Sequence, residues 1–115
     1  MNLKDALEIL SDGHTIISVK RAKEVCMFVN VPFSNTIVQR FKSDPSGTFK
    51  GLTMRPEYEN AEGVDTLSLS HYVAKQLDVD GKAGGFIGRG FQARAYAEEI
   101  KKVLEKKGYS NESIG

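Results

Sequence analysis

Apolar residues recur at helical spacing in three stretches of this chain and at strand-like spacing in several others. In NLKDALEIL, Leu3, Ala6, Leu7 and Leu10 fall on one face of a helix. Asn2 stands at an N-cap position and Gly13 where the helix should stop, so the spacing predicts a helix over about 3–11. In LSLSHYVAKQL, Leu69, Tyr72, Val73 and Leu77 repeat the pattern, with Ser68 or Ser70 available as N-cap. A last helix over about 91–107 carries Ala93, Ala97, Ile100 and Leu104 on one face. Arg94, Glu98, Lys101, Lys102 and Glu105 lie on the other, with Glu98 in reach of Lys102 one turn on and Gly108 closing the helix as a C′ glycine.

Between the first two helices the pattern reads as sheet. Thr15 to Lys20 is rich in β-branched residues, and Val25, Met27, Val29 and Val31 alternate with their neighbours. The charged run from Lys20 to Lys23 is then the loop of an antiparallel hairpin, ended by Pro32. Residues 36–42 form a third strand, with helix as the competitor, because a Ser-Asp-Pro-Ser-Gly turn follows them. Residues 48–54 make a fourth, with Gly51 as a bulge, and residues 56–66 a polar, acidic loop. The expected fold is therefore α+β, a two-layer sandwich: a four-stranded antiparallel meander with an N-terminal helix and two C-terminal helices on one face. Residues 1–108 read as one domain, and 109–115 as a frayed tail.

Composition narrows the classes. A chain of 115 residues with 40% hydrophobic and 27% charged residues suits one soluble globular domain. No apolar run approaches the ~18–20 residues that span a bilayer, and residues 1–10 are too charged for a signal peptide. Cys26 is the single cysteine, which leaves no internal disulfide and no cysteine zinc site, so a cytoplasmic setting is expected. The net charge of +1 hides an uneven distribution. Residues 1–56 hold eight basic and five acidic side chains, residues 57–80 one against six, and residues 81–108 seven against three. An acidic middle thus sits between two basic parts. That pattern favours a compact anion over a long polyanion.

The densest chemistry lies in DGKAGGFIGRGFQARAYAEE, where five glycines fall between Gly81 and Gly90 and lead straight into the last helix. Free N–H groups at a helix N-terminus attract anions, and glycine lets the backbone approach a phosphate closely. Gly84, Gly85, Gly88 and Gly90 would supply the loop, and Arg89 and Arg94 the charge. Lys82 and Arg55 are weaker contributors, while Phe86 and Phe91 offer faces on which a base could stack. The glycine spacing matches neither the Walker A pattern nor the dinucleotide fingerprint. A hinge whose Phe86, Ile87 and Phe91 plug the core is the competing explanation.

Other candidates are thinner. Asp78 to Gly81 opens like a calcium loop, but Arg89 stands where the bidentate Glu is required, and His14 and His71 have no ligand-like neighbours in sequence, so no metal site is expected. Cys26 sits among Val25, Met27 and Phe28 as a packing residue, and Ser68, Ser70 and His71 are adjacent in sequence without forming a nucleophile–base pair. The carboxylates of Glu57, Glu59, Glu62 and Asp65 read as solvated. No catalytic constellation and no cofactor motif emerge.

The leading expectation is non-catalytic sensing or sequestration of a small phosphorylated ligand, a nucleotide or cyclic nucleotide signal, as a phage-type counter-defence protein would do. The alternatives are a nucleic-acid-binding module using Lys20, Arg21, Lys23, Arg40, Lys42, Lys50 and Arg55, and an interaction domain with the glycine segment as a hinge. A homo-oligomer is expected in each case, since the sheet leaves an edge or face for another protomer. No membrane contact is expected.

Overall fold

The computed structural model describes residues 1–41, 61–79 and 88–110. Among these, four helices and a small three-stranded antiparallel sheet make an α+β arrangement. Helix α1 (Leu3–Leu10) forms as its apolar spacing predicts: the Asn2 side chain accepts from the Asp5 N–H at 2.8 Å, and Leu3, Ala6 and Leu10 are buried. Helix α3 (Thr66–Gln76) buries Leu69, Val73 and Ala74, and helix α4 (Arg89–Lys106) buries Ala93, Ala97, Ile100 and Leu104.

The expected hairpin does not form. Only Ile16–Ile17 is strand (β1), and Val19–Phe28 is a helix, α2. Ser18 caps α2 by accepting from the Arg21 N–H at 3.1 Å. Ala22, Val25, Cys26 and Val29 are buried at a spacing of three, four and seven, whereas Met27 is 79% exposed. The alternation of Val25, Met27 and Val29 is thus a by-product of one helical stripe. Residues 36–42 divide: a 3-10 turn over Asn35–Ile37 runs into strand β2, Val38–Arg40.

The expected acidic loop is in part strand: its residues Glu62–Asp65 are the middle strand of the sheet, β3. It pairs antiparallel with β1 (Ile16 with Asp65, Ile17 with Val64) and with β2 (Val38 with Val64, Gln39 with Gly63, Arg40 with Glu62). The fourth strand expected at 48–54 lies outside the described residues. Gly63 is required here because a Cβ would come within 2.7 Å of Ile16 Cγ2 and 3.3 Å of the buried Phe41 ring.

Three helices end in the same device. A residue in the left-handed region donates back into the last turn and the next residue donates one turn deeper, as in the Schellman motif. Asn30 (φ 60) and Val31 end α2, Asp78 (φ 55) and Val79 end α3, and Gly108 (φ 95) and Tyr109 end α4. Tyr109 also sets its ring edge-on to Phe28, with centroids 5.2 Å apart. Residues 111–115 lie outside the described residues.

One core joins the helices to the sheet through Leu10, Val25, Val29, Val64, Leu69, Val73, Ile100 and Leu104, all at 0–1% exposure. Burying each such aliphatic side chain contributes about 1.5–3 kcal/mol. Ser70 is buried within α3, not placed at its cap: its hydroxyl lies against the Thr66 carbonyl at 2.9 Å and the Leu10 carbonyl, joining α3 to the end of α1. The cap of α3 is Asp65.

Candidate functional site

Helix α4 begins at Gly88, which has φ +100 and provides no side-chain cap. Its first intrahelical bond runs from the Gln92 N–H to the Gly88 carbonyl at 3.2 Å. The N–H groups of Arg89, Gly90 and Phe91 precede that bond and take no partner among the described residues, so this end carries the partial positive charge of an open helix terminus.

The side chains of this turn diverge. At about 100° per residue, Arg89 and Arg94 point roughly 140° apart around the helix. Arg94 lies outward with its guanidinium 4.7 Å from the centre of the Phe91 ring, and its Nε donates to the Gly90 carbonyl at 3.3 Å. Phe91 is 58% exposed, so the outer face presents a cation stacked on an aromatic ring.

Arg89 turns inward. Its Nε donates to the Gly13 carbonyl at 2.9 Å and its Nη2 to Asp65 Oδ2. Asp65 also accepts from the Leu67 N–H and from the Ser68 hydroxyl, each at 3.1 Å. One carboxylate therefore caps α3 and clasps the first residue of α4. The approach is close because residue 13 is glycine: a Cβ there would come 2.6 Å from the Arg89 carbonyl oxygen and 2.9 Å from Ala93 Cβ. Gly90 is packed as tightly, its Cβ position lying 2.7 Å from His14 Nε2.

Because Asp65 meets Arg89 and His71 meets Tyr96 (ring centroids 5.5 Å apart), α3 and α4 start at the same end of the molecule. Between their first turns lies a polar cleft of about 320 Å³, lined by Asp65, Ser68, His71, Arg89, Gln92 and Tyr96. A second groove, of about 380 Å³, runs between α1 and α4 over Leu7 and Ala97, with Lys4, Glu8, Arg94 and Lys101 at its edges.

Of the residues singled out from the sequence, the structure brings Phe91 and Arg94 together beside Gly88 and Gly90. It directs Arg89 to the opposite side. Lys82, Gly84, Gly85, Phe86 and Arg55 lie outside the described residues. Sequence reasoning passed over Gln92 and Tyr96, took Asp65 for a solvated carboxylate although it is buried at 6% exposure, and dismissed Ser68 and His71. The signal was present, since Ser68 and His71 are three apart on one helix, and Arg89, Gln92 and Tyr96 fall at i, i+3 and i+7 on another.

Cys26 is 1% exposed, and burial pushes its thiol up to about 11, which makes it a poor nucleophile at neutral pH. Among the described residues, no three His, Cys, Asp or Glu side chains stand close enough together to hold a metal ion, and no helix is long and apolar enough to cross a membrane. Comparison with protein families, with curated proteins and with solved structures finds no match to this chain.

Proposed function

We propose that this protein holds a small phosphorylated ligand of the nucleotide class at the N-terminal end of α4 and performs no chemistry on it. The observation that carries the reading is the open start of α4. Three N–H groups follow a glycine cap and take no partner among the described residues, between an arginine fixed in place and an arginine stacked on an exposed phenylalanine. Gly88 keeps bulk away from the approach, and Phe91 offers a face to a base. Sensing or sequestering a nucleotide signal in the cytoplasm needs no more than such a site. Self-association belongs to the same proposal, with the exposed Met27 as an apolar contact for a second copy.

A second reading has one observation in its favour. Arg89 is engaged by Asp65 and Gly13 inside the molecule, as a purely structural residue would be. The nucleic-acid reading loses its hairpin, because Lys20, Arg21 and Lys23 lie on α2, where Arg21 pairs with Glu24 at 3.0 Å and Lys23 lies 5.5 Å from the centre of the Phe33 ring.

A thermal-shift screen separates these readings. Mononucleotides, cyclic di- and trinucleotides, ADP-ribose-type compounds and inorganic phosphate are each tested at high concentration. A ligand at ~100 times its Kd adds roughly 2.7 kcal/mol, a shift of several degrees. Phe91→Ala and Arg94→Ala should reduce that shift. Silence across the panel would leave the structural reading in possession of the site.

A further inference from the structure

We propose that the cleft between α3 and α4 seats the ligand's phosphate and that it takes a terminal phosphomonoester in preference to a cyclic or internal diester. The proposal rests on the ligand class given above and assigns that ligand a site and an end group.

Arg89 is held along one edge of its guanidinium. Its plane is fixed by two bonds, one to the Gly13 carbonyl and one to Asp65, and its Nη1 has no partner among the described residues. An arginine tethered along one edge presents the other without further loss of side-chain freedom. Across the cleft, the His71 imidazole and the Tyr96 hydroxyl also have no hydrogen-bond partner among the described residues, although their rings are in contact. These three groups line one space and are uncommitted among the described residues.

Asp65 does not oppose an anion as strongly as its charge suggests. Its carboxylate already accepts from the Leu67 N–H, the Ser68 hydroxyl and Arg89, and its side chain is only 8% exposed. The Asp65–Arg89 pair is formally neutral, and the starts of two helices add partial positive charge at the same end.

Shape chooses between ester types. A cleft walled by two helices and about 320 Å³ in volume lies at the lower end of ligand-pocket sizes. A terminal phosphate presents three oxygens to Arg89, His71 and Tyr96 and leaves by a single ester bond. A diester has two non-bridging oxygens and needs two exits.

The test is calorimetric titration of the full chain with AMP, ribose 5-phosphate, inorganic phosphate and cyclic AMP, repeated on His71→Ala, Tyr96→Phe and the double variant. Tyr96→Phe removes one hydroxyl and His71 is exposed, so both variants should keep their fold, which their unfolding midpoints check. AMP should bind at least tenfold more tightly than cyclic AMP, and each substitution should weaken AMP by about tenfold, the loss of one hydrogen bond to a charged group. Ribose 5-phosphate binding as tightly as AMP would support the site and assign it to sugar phosphates, while tighter AMP binding assigns it to nucleotides. AMP binding that neither substitution weakens, or cyclic AMP binding as tightly, overturns the cleft and leaves the phosphorylated-ligand reading standing. If none of the four probes binds and the wider screen is also silent, both fall.

Discussion

Asp65 has two tasks that substitution can pull apart. Asp65→Asn keeps a side-chain oxygen for the Leu67 N–H but removes the charge that Arg89 meets, whereas Asp65→Ala removes both. Loss of an N-cap to alanine costs about 1 kcal/mol. Removing one partner of a fully buried ion pair costs about 3–5 kcal/mol, but Arg89 is 32% exposed and water can re-solvate part of it, so roughly 1–2 kcal/mol is the appropriate scale. Asp65→Asn should therefore destabilise by about 1–2 kcal/mol and Asp65→Ala by about 2–3 kcal/mol. At this chain length the alanine variant should melt roughly 8–12 °C below the parent. Urea unfolding, with the slope checked for constancy, measures both variants, and a double-mutant cycle with Arg89→Ala isolates the pair. A coupling of about 1 kcal/mol or more is expected. The clasp is refuted if the two Asp65 variants cost the same and the cycle closes to within about 0.3 kcal/mol.

Gly13→Ala should destabilise by roughly 2 kcal/mol or more, because φ +77 disfavours a side chain and the new Cβ would meet the Arg89 backbone at 2.6 Å; unfolding midpoints check it. Asp78→Gly should stabilise by about 0.5–1 kcal/mol, since it relieves a left-handed residue and removes a negative charge from the end of α3; an unchanged midpoint would contradict the capping account. Cys26 adds a pH dependence. Its thiol is raised from 9.0 to about 11 by burial, so the native state holds its proton longer than the unfolded chain does. The resulting stability, on the order of 2 kcal/mol, is complete below pH 9 and lost as pH rises toward 11. Urea midpoints at pH 8 and 10.5 should fall further apart for the parent than for Cys26→Ala.

The helices were legible where a single apolar stripe ran between recognisable caps. Asn2 before Leu3 and Gly108 after α4 are the clearest examples. Helix α2 was not legible because Val25, and Val29 and Val31 just beyond its end, imitate strand alternation, and its cap, Ser18, sits within a run of sheet-favouring residues. Strand β3 was obscured for the opposite reason. Only Val64 in Glu62–Asp65 is a large apolar residue, and the strand's place in the middle of the sheet depends on Gly63 admitting Ile16 and Phe41, a tertiary fact with no local signature.

The site divides along the same line. Gly88, Gly90, Phe91 and Arg94 lie close in sequence and are neighbours in space. The partner of Arg89 lies 24 residues away on β3, and the carbonyl it also holds lies 76 residues away, so neither could be read from spacing. The clustering of Ser68 and His71 opposite Gln92 and Tyr96 depends on α3 and α4 starting side by side.

The central claim, a phosphorylated ligand at the start of α4, is tested most directly by following backbone amide signals of the isotope-labelled protein by NMR during titration with AMP. The account predicts saturable shifts centred on the N–H groups of Arg89, Gly90 and Phe91, with smaller ones at Ser68, His71 and Tyr96. Saturable shifts confined to residues outside these two helix starts, such as those of the α1–α4 groove, or no shifts with any phosphorylated compound, would contradict it.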